Sequence, residues 1–118
     1  IKSAINWNKI TVLKGAHTIV AYPNGSAFLS PFSNPGLASA GTGDVLAGVI
    51  AGLLSQISSS PELNVYTSAA LGVYLHGKAG EQVREEIGDT GMVASDLLPV
   101  LPRIIKNMRS VSCDSIRV

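Results

Sequence analysis

The chain has 118 residues, is 46% hydrophobic and only 14% charged, and carries a formal net charge of +1. That balance fits one soluble globular domain and argues against a nucleic-acid partner. The single cysteine, Cys113, excludes an internal disulfide framework and a cysteine-based metal cluster. Gly, Ser and Asn interrupt every apolar run before it reaches membrane-spanning length, so no membrane partner is expected.

The opening residues include Lys2, Asn6, Asn8 and Lys9 and do not form a signal peptide. A reduced, cytoplasmic compartment follows as the expectation. Ile1 has no initiator Met before it and reads as part-way through an element, so a longer chain is expected upstream. Ile1–Trp7 reads as a helix with Ile1, Ala4 and Ile5 on one side, closed by Asn8. Ile10–Lys14 is β-branched and apolar, which predicts a buried strand. Thr18–Ala21 and Ala27–Ser30 read as two more strands, joined by a turn at Pro23–Ser26 whose Asn24–Gly25 pair is a strong hairpin signal. Ser30–Gly36, punctuated by Pro31 and Pro35, reads as extended.

The next stretch organises the chain. Asn34–Pro35–Gly36–Leu37–Ala38–Ser39–Ala40–Gly41–Thr42–Gly43–Asp44 is rich in small residues and runs straight into an apolar segment. Gly41 and Gly43 permit close approach and positive φ. A helix starting there presents free N–H groups and the positive end of its dipole, which together favour an anion, and phosphate is the usual one. Asp44 has two readings. It is either a favourable carboxylate in a first helical turn, or a group that handles a proton on whatever meets the phosphate.

Val45–Ile57 reads as a helix that is apolar nearly all round and therefore buried, with Ala47, Gly48, Ala51 and Gly52 as small residues allowing close approach. Ser58–Glu62 is a loop, and Leu63–Ile87 a long helix with Ala69, Gly72, Val73, His76, Gly80 and Val83 on one face. His76 on that face is read as a packed, hydrogen-bonded core residue in preference to a catalyst, and Tyr74 and Leu75 as packing. Gly88–Gly91 breaks the helix. Ser95 is placed to cap the next one, with Asp96 in its first turn. Pro102 forces a restart, Ile104–Met108 continues, and 109–118 reads as a loosely held tail. Short strands followed by three main helices leave more apolar helix surface than so small a sheet covers. The predicted class is therefore α/β, one part of a layered domain whose other strands and helices lie upstream.

Several of these segments together resemble one family. Val12–Thr18, Asn34–Gly48, Gly72–Gly77 and Gly91–Leu97 match in order the ADP- or ATP-dependent NAD(P)H-hydrate dehydratases of the ribokinase-like fold. The resemblance covers roughly Ile10–Ile105 and corresponds to the C-terminal portion of that domain, so 1–108 is expected to belong to it. It implies a repair reaction in which hydrated NADH or NADPH is phosphorylated on the ring hydroxyl and then loses phosphate. Under that resemblance Gly41, Thr42 and Gly43 form the anion hole, Asp44 is the catalytic base and contacts the hydrated nicotinamide, and Gly43 contacts the nucleotide. Lys14, Gly15, Ala16, His17 and Thr18 border the nucleotide, with Lys14 offering a cation and Gly15 close approach; His17 is given no chemistry of its own.

The implied cofactors are ADP or ATP with Mg²⁺, although no carboxylate cluster in the sequence identifies itself as the metal's ligand set. The leftover apolar helix surface suits either the upstream part or a homo-oligomer contact. Two other activities share parts of this pattern: a small-molecule alcohol kinase of the hydroxyethylthiazole or hydroxymethylpyrimidine type, and a nucleotide-binding fragment without turnover. The Ala94–Leu98 and Tyr74–Gly77 segments weigh against the kinase.

Overall fold

Three short apolar runs separated by turn-forming residues make the sheet of this protein. The computed structural model describes residues 1–59 and 63–114, with side chains described up to residue 110. Helix α1 (Lys2–Trp7) ends at Asn8, which adopts the left-handed conformation at φ 51°. Strands β1 (Thr11–Leu13), β2 (Ile19–Ala21) and β3 (Ala27–Leu29) form an antiparallel meander in the order β1-β2-β3. Gly25, at φ +88°, supplies the positive dihedral of the second turn, and Asn24 Oδ1 accepts from the Ser26 N–H at 2.9 Å.

Register decides which face is buried. Val12, Val20 and Phe28 stand opposite one another in one row, and Leu13, Ile19 and Leu29 in the next. The first row packs on Leu46, Ala69 and Val73, with Val20 fully buried. Burial of a side chain like Val20 contributes on the order of 1.5–3 kcal/mol. The second row faces outward, leaving Leu13 64% and Leu29 59% exposed. The strand at Ile10–Lys14, expected to be buried, is thus covered on one face only. Similarly, Ala4 alone of the α1 trio is buried, while Ile1 and Ile5 are exposed.

Pro35–Ala38 is a 3₁₀ turn where the sequence suggested extended chain, because Asn34 Oδ1 caps it by accepting from the Gly36 N–H at 3.0 Å. Helix α2 (Thr42–Leu54) then begins at the glycine turn, and a 3₁₀ turn at Ile57–Ser59 follows. Helix α3 (Val65–Ile87) starts with a reciprocal cap, in which Asn64 and Thr67 each bond the other's backbone N–H, and stops at Gly88. All the residues expected on its inner face are buried. Gly72, Gly77 and Gly80 let Ile50, Phe32 and Leu37 press against the helix backbone. Tyr74 packs on Phe32 with ring centroids 5.2 Å apart, and Leu75 is buried.

A second core cluster joins Leu75, Ala79 and Val83 of α3 to Met92, Leu97, Val100, Leu101 and Ile104. The first of its later elements, a 3₁₀ turn at Ala94–Leu97, is closed by Asp96, whose carboxylate accepts from the Val93 N–H at 2.8 Å. Ser95, expected as the cap, lies inside that turn. Helix α4 (Leu101–Asp114) takes Pro102 in its first turn, where no intrahelical donor is needed. It runs beyond Met108, where a tail was expected, because neither Gly nor Pro interrupts 109–114; residues 115–118 lie outside the described residues.

The helix expected to be buried all round is not. Within α2 only Thr42 and Leu46 are buried. Ala47, Gly48, Ala51 and Gly52 are exposed, and a Cβ added at Gly48 or Gly52 would meet nothing within 4 Å. No helix among the described residues is long and apolar enough to cross a membrane.

Candidate functional site

The start of α2 is built by its own sequence. Gly41 sits at φ +85°, ψ −14°, a conformation L side chains rarely adopt, and it turns the chain from the Pro35–Ala38 turn into the helix. Thr42 is completely buried. Its one hydroxyl proton is shared between the Leu37 carbonyl at 2.6 Å and the Ser39 carbonyl at 2.9 Å, and its N–H reaches the Ser39 carbonyl at 3.3 Å. Thr42 therefore braces the loop with the donors that the sequence reading assigned to an anion. The Asp44 N–H is also engaged, with the Gly41 carbonyl at 3.1 Å. Among the described residues, the Gly41 and Gly43 N–H groups have no acceptor, as expected at a helix start.

Lys14 closes the geometry from the other side. At the end of β1 it lays its side chain over the glycine turn, so that a Cβ added to Gly43 would fall 2.5 Å from Lys14 Nζ and 3.3 Å from its Cε. The two segments singled out in the sequence, far apart along the chain, thus meet at one point. A primary ammonium, the unpartnered Gly43 N–H and the positive end of a helix dipole meet there, and each favours an anion. Asp44 is exposed beside them, and its carboxylate makes no hydrogen bond or ion pair among the described residues.

Next to this point opens a cavity of about 500 Å³. Its walls include Lys14, Gly15, Ala16 and Thr18 from the β1–β2 connection, Phe32, Asn34 and Leu37 from the proline-punctuated stretch, and Val73, His76 and Gly77 from α3. Gly41, Thr42, Gly43 and Asp44 stand outside that wall, and so does His17. The His17 ring instead pairs through Nδ1 with the Ser30 carbonyl at 3.1 Å, clipping the β1–β2 loop to the end of β3. Gly15 is less crowded than a close-approach glycine, since an added Cβ would meet only the His17 carbonyl at 3.8 Å.

His76 is the residue whose role the sequence left least defined. It is 6% exposed, and its Nε2 lies 2.8 Å from the Thr42 carbonyl. A carbonyl only accepts, so Nε2 carries the proton and the neutral ring is the Nε2–H tautomer. Burial is the main influence on its pKa and lowers it from 6.5; the Thr42 hydrogen bond raises it and the Lys14 charge lowers it further, with a net lowering. The reading of His76 as hydrogen-bonded core agrees with these contacts. Its partner, a main-chain carbonyl in the anion turn, had no signature in the sequence.

Among the described residues, no group of three or more His, Cys, Asp or Glu could hold a metal ion.

Comparison with known proteins gives a consistent picture. A family model described as NAD(P)H-hydrate dehydratase matches residues 2–103. The bifunctional NAD(P)H-hydrate repair enzyme Nnr of Moorella thermoacetica is 45% identical over 107 residues, covering 91% of this chain and 19% of that protein. The ADP-dependent (S)-NAD(P)H-hydrate dehydratase of Bacillus subtilis is 38% identical over 97 residues, covering 82% of this chain and 33% of that one. A crystal structure of the Bacillus subtilis ADP/ATP-dependent NAD(P)H-hydrate dehydratase, co-crystallized with ATP/Mg²⁺, superposes with a TM-score of 0.81 at 34% identity. The superposition covers 90% of this chain and 36% of that structure. The chain thus spans between about a fifth and a third of the length of these curated relatives, and the matched part is their C-terminal portion.

Proposed function

Because this chain belongs to the NAD(P)H-hydrate dehydratase family, we propose that the whole protein restores NADH and NADPH from their hydrated forms, using ADP or ATP. The observation that carries this reading is the convergence of Lys14 Nζ on the Gly43 backbone at the start of α2. Hydroxide leaves a carbon poorly and phosphate leaves it well, so the reaction needs a place to transfer a phosphoryl group and a base for the ring hydroxyl.

In this reading the Asp44 carboxylate takes the proton of the ring hydroxyl as its oxygen attacks the terminal phosphorus of the nucleotide. The shortened nucleotide departs. The ring nitrogen's electron pair then expels phosphate to give an iminium ion, and loss of a proton from the adjacent ring carbon leaves the dihydronicotinamide. The Gly41 and Gly43 N–H groups and the Lys14 ammonium meet the charge that builds on the phosphoryl oxygens; one such donor is commonly worth about 10²–10³ in kcat. Thr42 supports them by holding the turn. Lys14, Gly15, Ala16 and Thr18 line the cavity that would take the rest of the nucleotide, and His17 keeps their loop against β3. Asp44 lies outside the cavity wall, and the hydrated ring is proposed to bind on that side.

Mg²⁺ belongs to this proposal as an ion carried on the nucleotide phosphates. The described residues offer it no ligand cluster, which fits an ion that relies on substrate phosphates and few carboxylates. The exposed apolar surface of Leu13, Leu29 and the outer face of α2 is proposed to be covered by the rest of the protein or by a second copy in a homo-oligomer.

The test uses the full-length protein. Hydrated NADH is incubated with Mg²⁺ and either ADP or ATP while the absorbance of restored NADH is followed. Recovery dependent on nucleotide is expected. No recovery, with phosphate instead retained on a thiazole or pyrimidine alcohol, would replace this reading with the kinase.

A further inference from the structure

The Thr42 carbonyl and the Gly43 N–H are two ends of one peptide group. There are no cis peptide bonds among the described residues, so in that group the C=O and the N–H point in opposite directions. The carbonyl end is held inside the protein by His76 Nε2 at 2.8 Å. The N–H end belongs to Gly43, whose α-carbon lies under the Lys14 ammonium and whose hydrogen has no acceptor among the described residues. Whatever fixes the carbonyl therefore also aims the amide.

We propose that His76 is a positioning residue for the anion site, its Nε2–H locking the Thr42–Gly43 peptide so that the Gly43 N–H faces the group held by Lys14. The inference rests on the phosphoryl-transfer reading given above, and it adds to that reading a residue that acts through a main-chain peptide. The surroundings give the lock stiffness. His76 is 6% exposed on the inner face of α3. The hydroxyl of Thr42 ties the same residue to the Leu37 and Ser39 carbonyls, so the peptide is held from both its side chain and its backbone. A hydrogen bond to the carbonyl also polarises the peptide and strengthens its N–H as a donor.

Two amides of different reach separate this role from general packing. In His76→Gln the side-chain nitrogen takes nearly the place of Nε2 and can still donate to the Thr42 carbonyl. In His76→Asn the same amide stops short. In the full-length protein, His76→Gln is expected to keep kcat within about threefold of wild type, whereas His76→Asn loses about tenfold or more, by analogy with the loss of one anion-hole donor. KM for the hydrated dinucleotide is expected to change little in either, because the cavity that His76 lines is assigned to the nucleotide. ADP affinity, read by calorimetry, is expected to weaken in His76→Asn and to hold in His76→Gln. Equal losses in both variants, or no loss in His76→Asn, would overturn the proposal. If wild type itself restores no NADH, the phosphoryl-transfer reading fails. The ADP titrations then still decide the positioning role, and equal affinities across the two variants would refute it.

Discussion

Helices α2 and α3 both carry small residues at three- and four-residue spacing, yet they use them in opposite ways. On α3, Gly72, Gly77 and Gly80 are buried and accept Ile50, Phe32 and Leu37 against the helix backbone. On α2, Gly48 and Gly52 face open space, with Ala47 and Ala51 exposed beside them. The pattern tells that another group can come close to a backbone; whether that group lies within the same chain depends on the fold. On α3 it does, because the proline-punctuated stretch and α2 both fold over one side of the helix.

Substitutions at the two stripes should separate them. Gly77→Ala places a Cβ 2.5 Å from the Phe32 ring and 3.0 Å from its Cβ, so something near the helix must shift. Overpacking of that kind costs about 1–3 kcal/mol, and a correspondingly lower denaturation midpoint is expected; an unchanged midpoint would mean that Phe32 relaxes freely. A smaller effect is expected from pH at the same buried stripe. Burial, chiefly, depresses the His76 pKa below 6.5, with the Lys14 charge adding to it and the Thr42 bond opposing it. A depressed pKa means that the unfolded state binds the proton more readily. The contribution of neutral His76 to stability is then complete above 6.5 and is lost as pH falls through the folded-state value. The unfolding midpoint should fall more steeply below 6.5 in wild type than in His76→Gln. The smallest change should come from the other stripe. Gly48→Ala adds a methyl to open space in a helix interior and should stabilise by about 0.5–1 kcal/mol through backbone entropy. A loss of stability in the full-length protein would show that another part of the protein, or a second copy, lies against that face.

Much of this arrangement was legible in the residues. The glycine turn, the helix after it, the hairpin at Asn24–Gly25 and the inner face of α3 all follow from local chemistry, and local chemistry is written locally. Gly41 and Gly43 divide two tasks first expected of both: Gly41 takes the positive φ and Gly43 the close approach. What the sequence concealed was long-range or carried by the backbone. The outward face of α2 is as apolar as its inward face, so hydropathy alone could not orient it. The family resemblance groups Thr42 with Gly41 and Gly43 as an anion hole, and the Leu37 and Ser39 carbonyls that take its hydroxyl lie in a turn whose folding the motif does not describe. Asp96 supplants Ser95 as the cap because the turn begins at Ala94, which makes Asp96 its third residue, in reach of the Val93 N–H. The link from His76 to the Thr42 carbonyl joins residues separated by 34 positions, and one of its partners is a main-chain atom that no motif names.

The central claim is that Asp44 is a base beside a transferring phosphoryl group and not merely a carboxylate that favours a helix start. Asp44→Asn in the full-length protein tests it most directly, because the amide keeps the shape and loses the proton acceptor. Restoration of NADH from its hydrate is followed together with ADP binding by calorimetry. The account predicts turnover lost by about 10²–10⁴-fold, the range of a general base, with ADP still bound at close to wild-type affinity. Turnover retained within a few-fold of wild type would remove Asp44 from the chemistry and contradict the account.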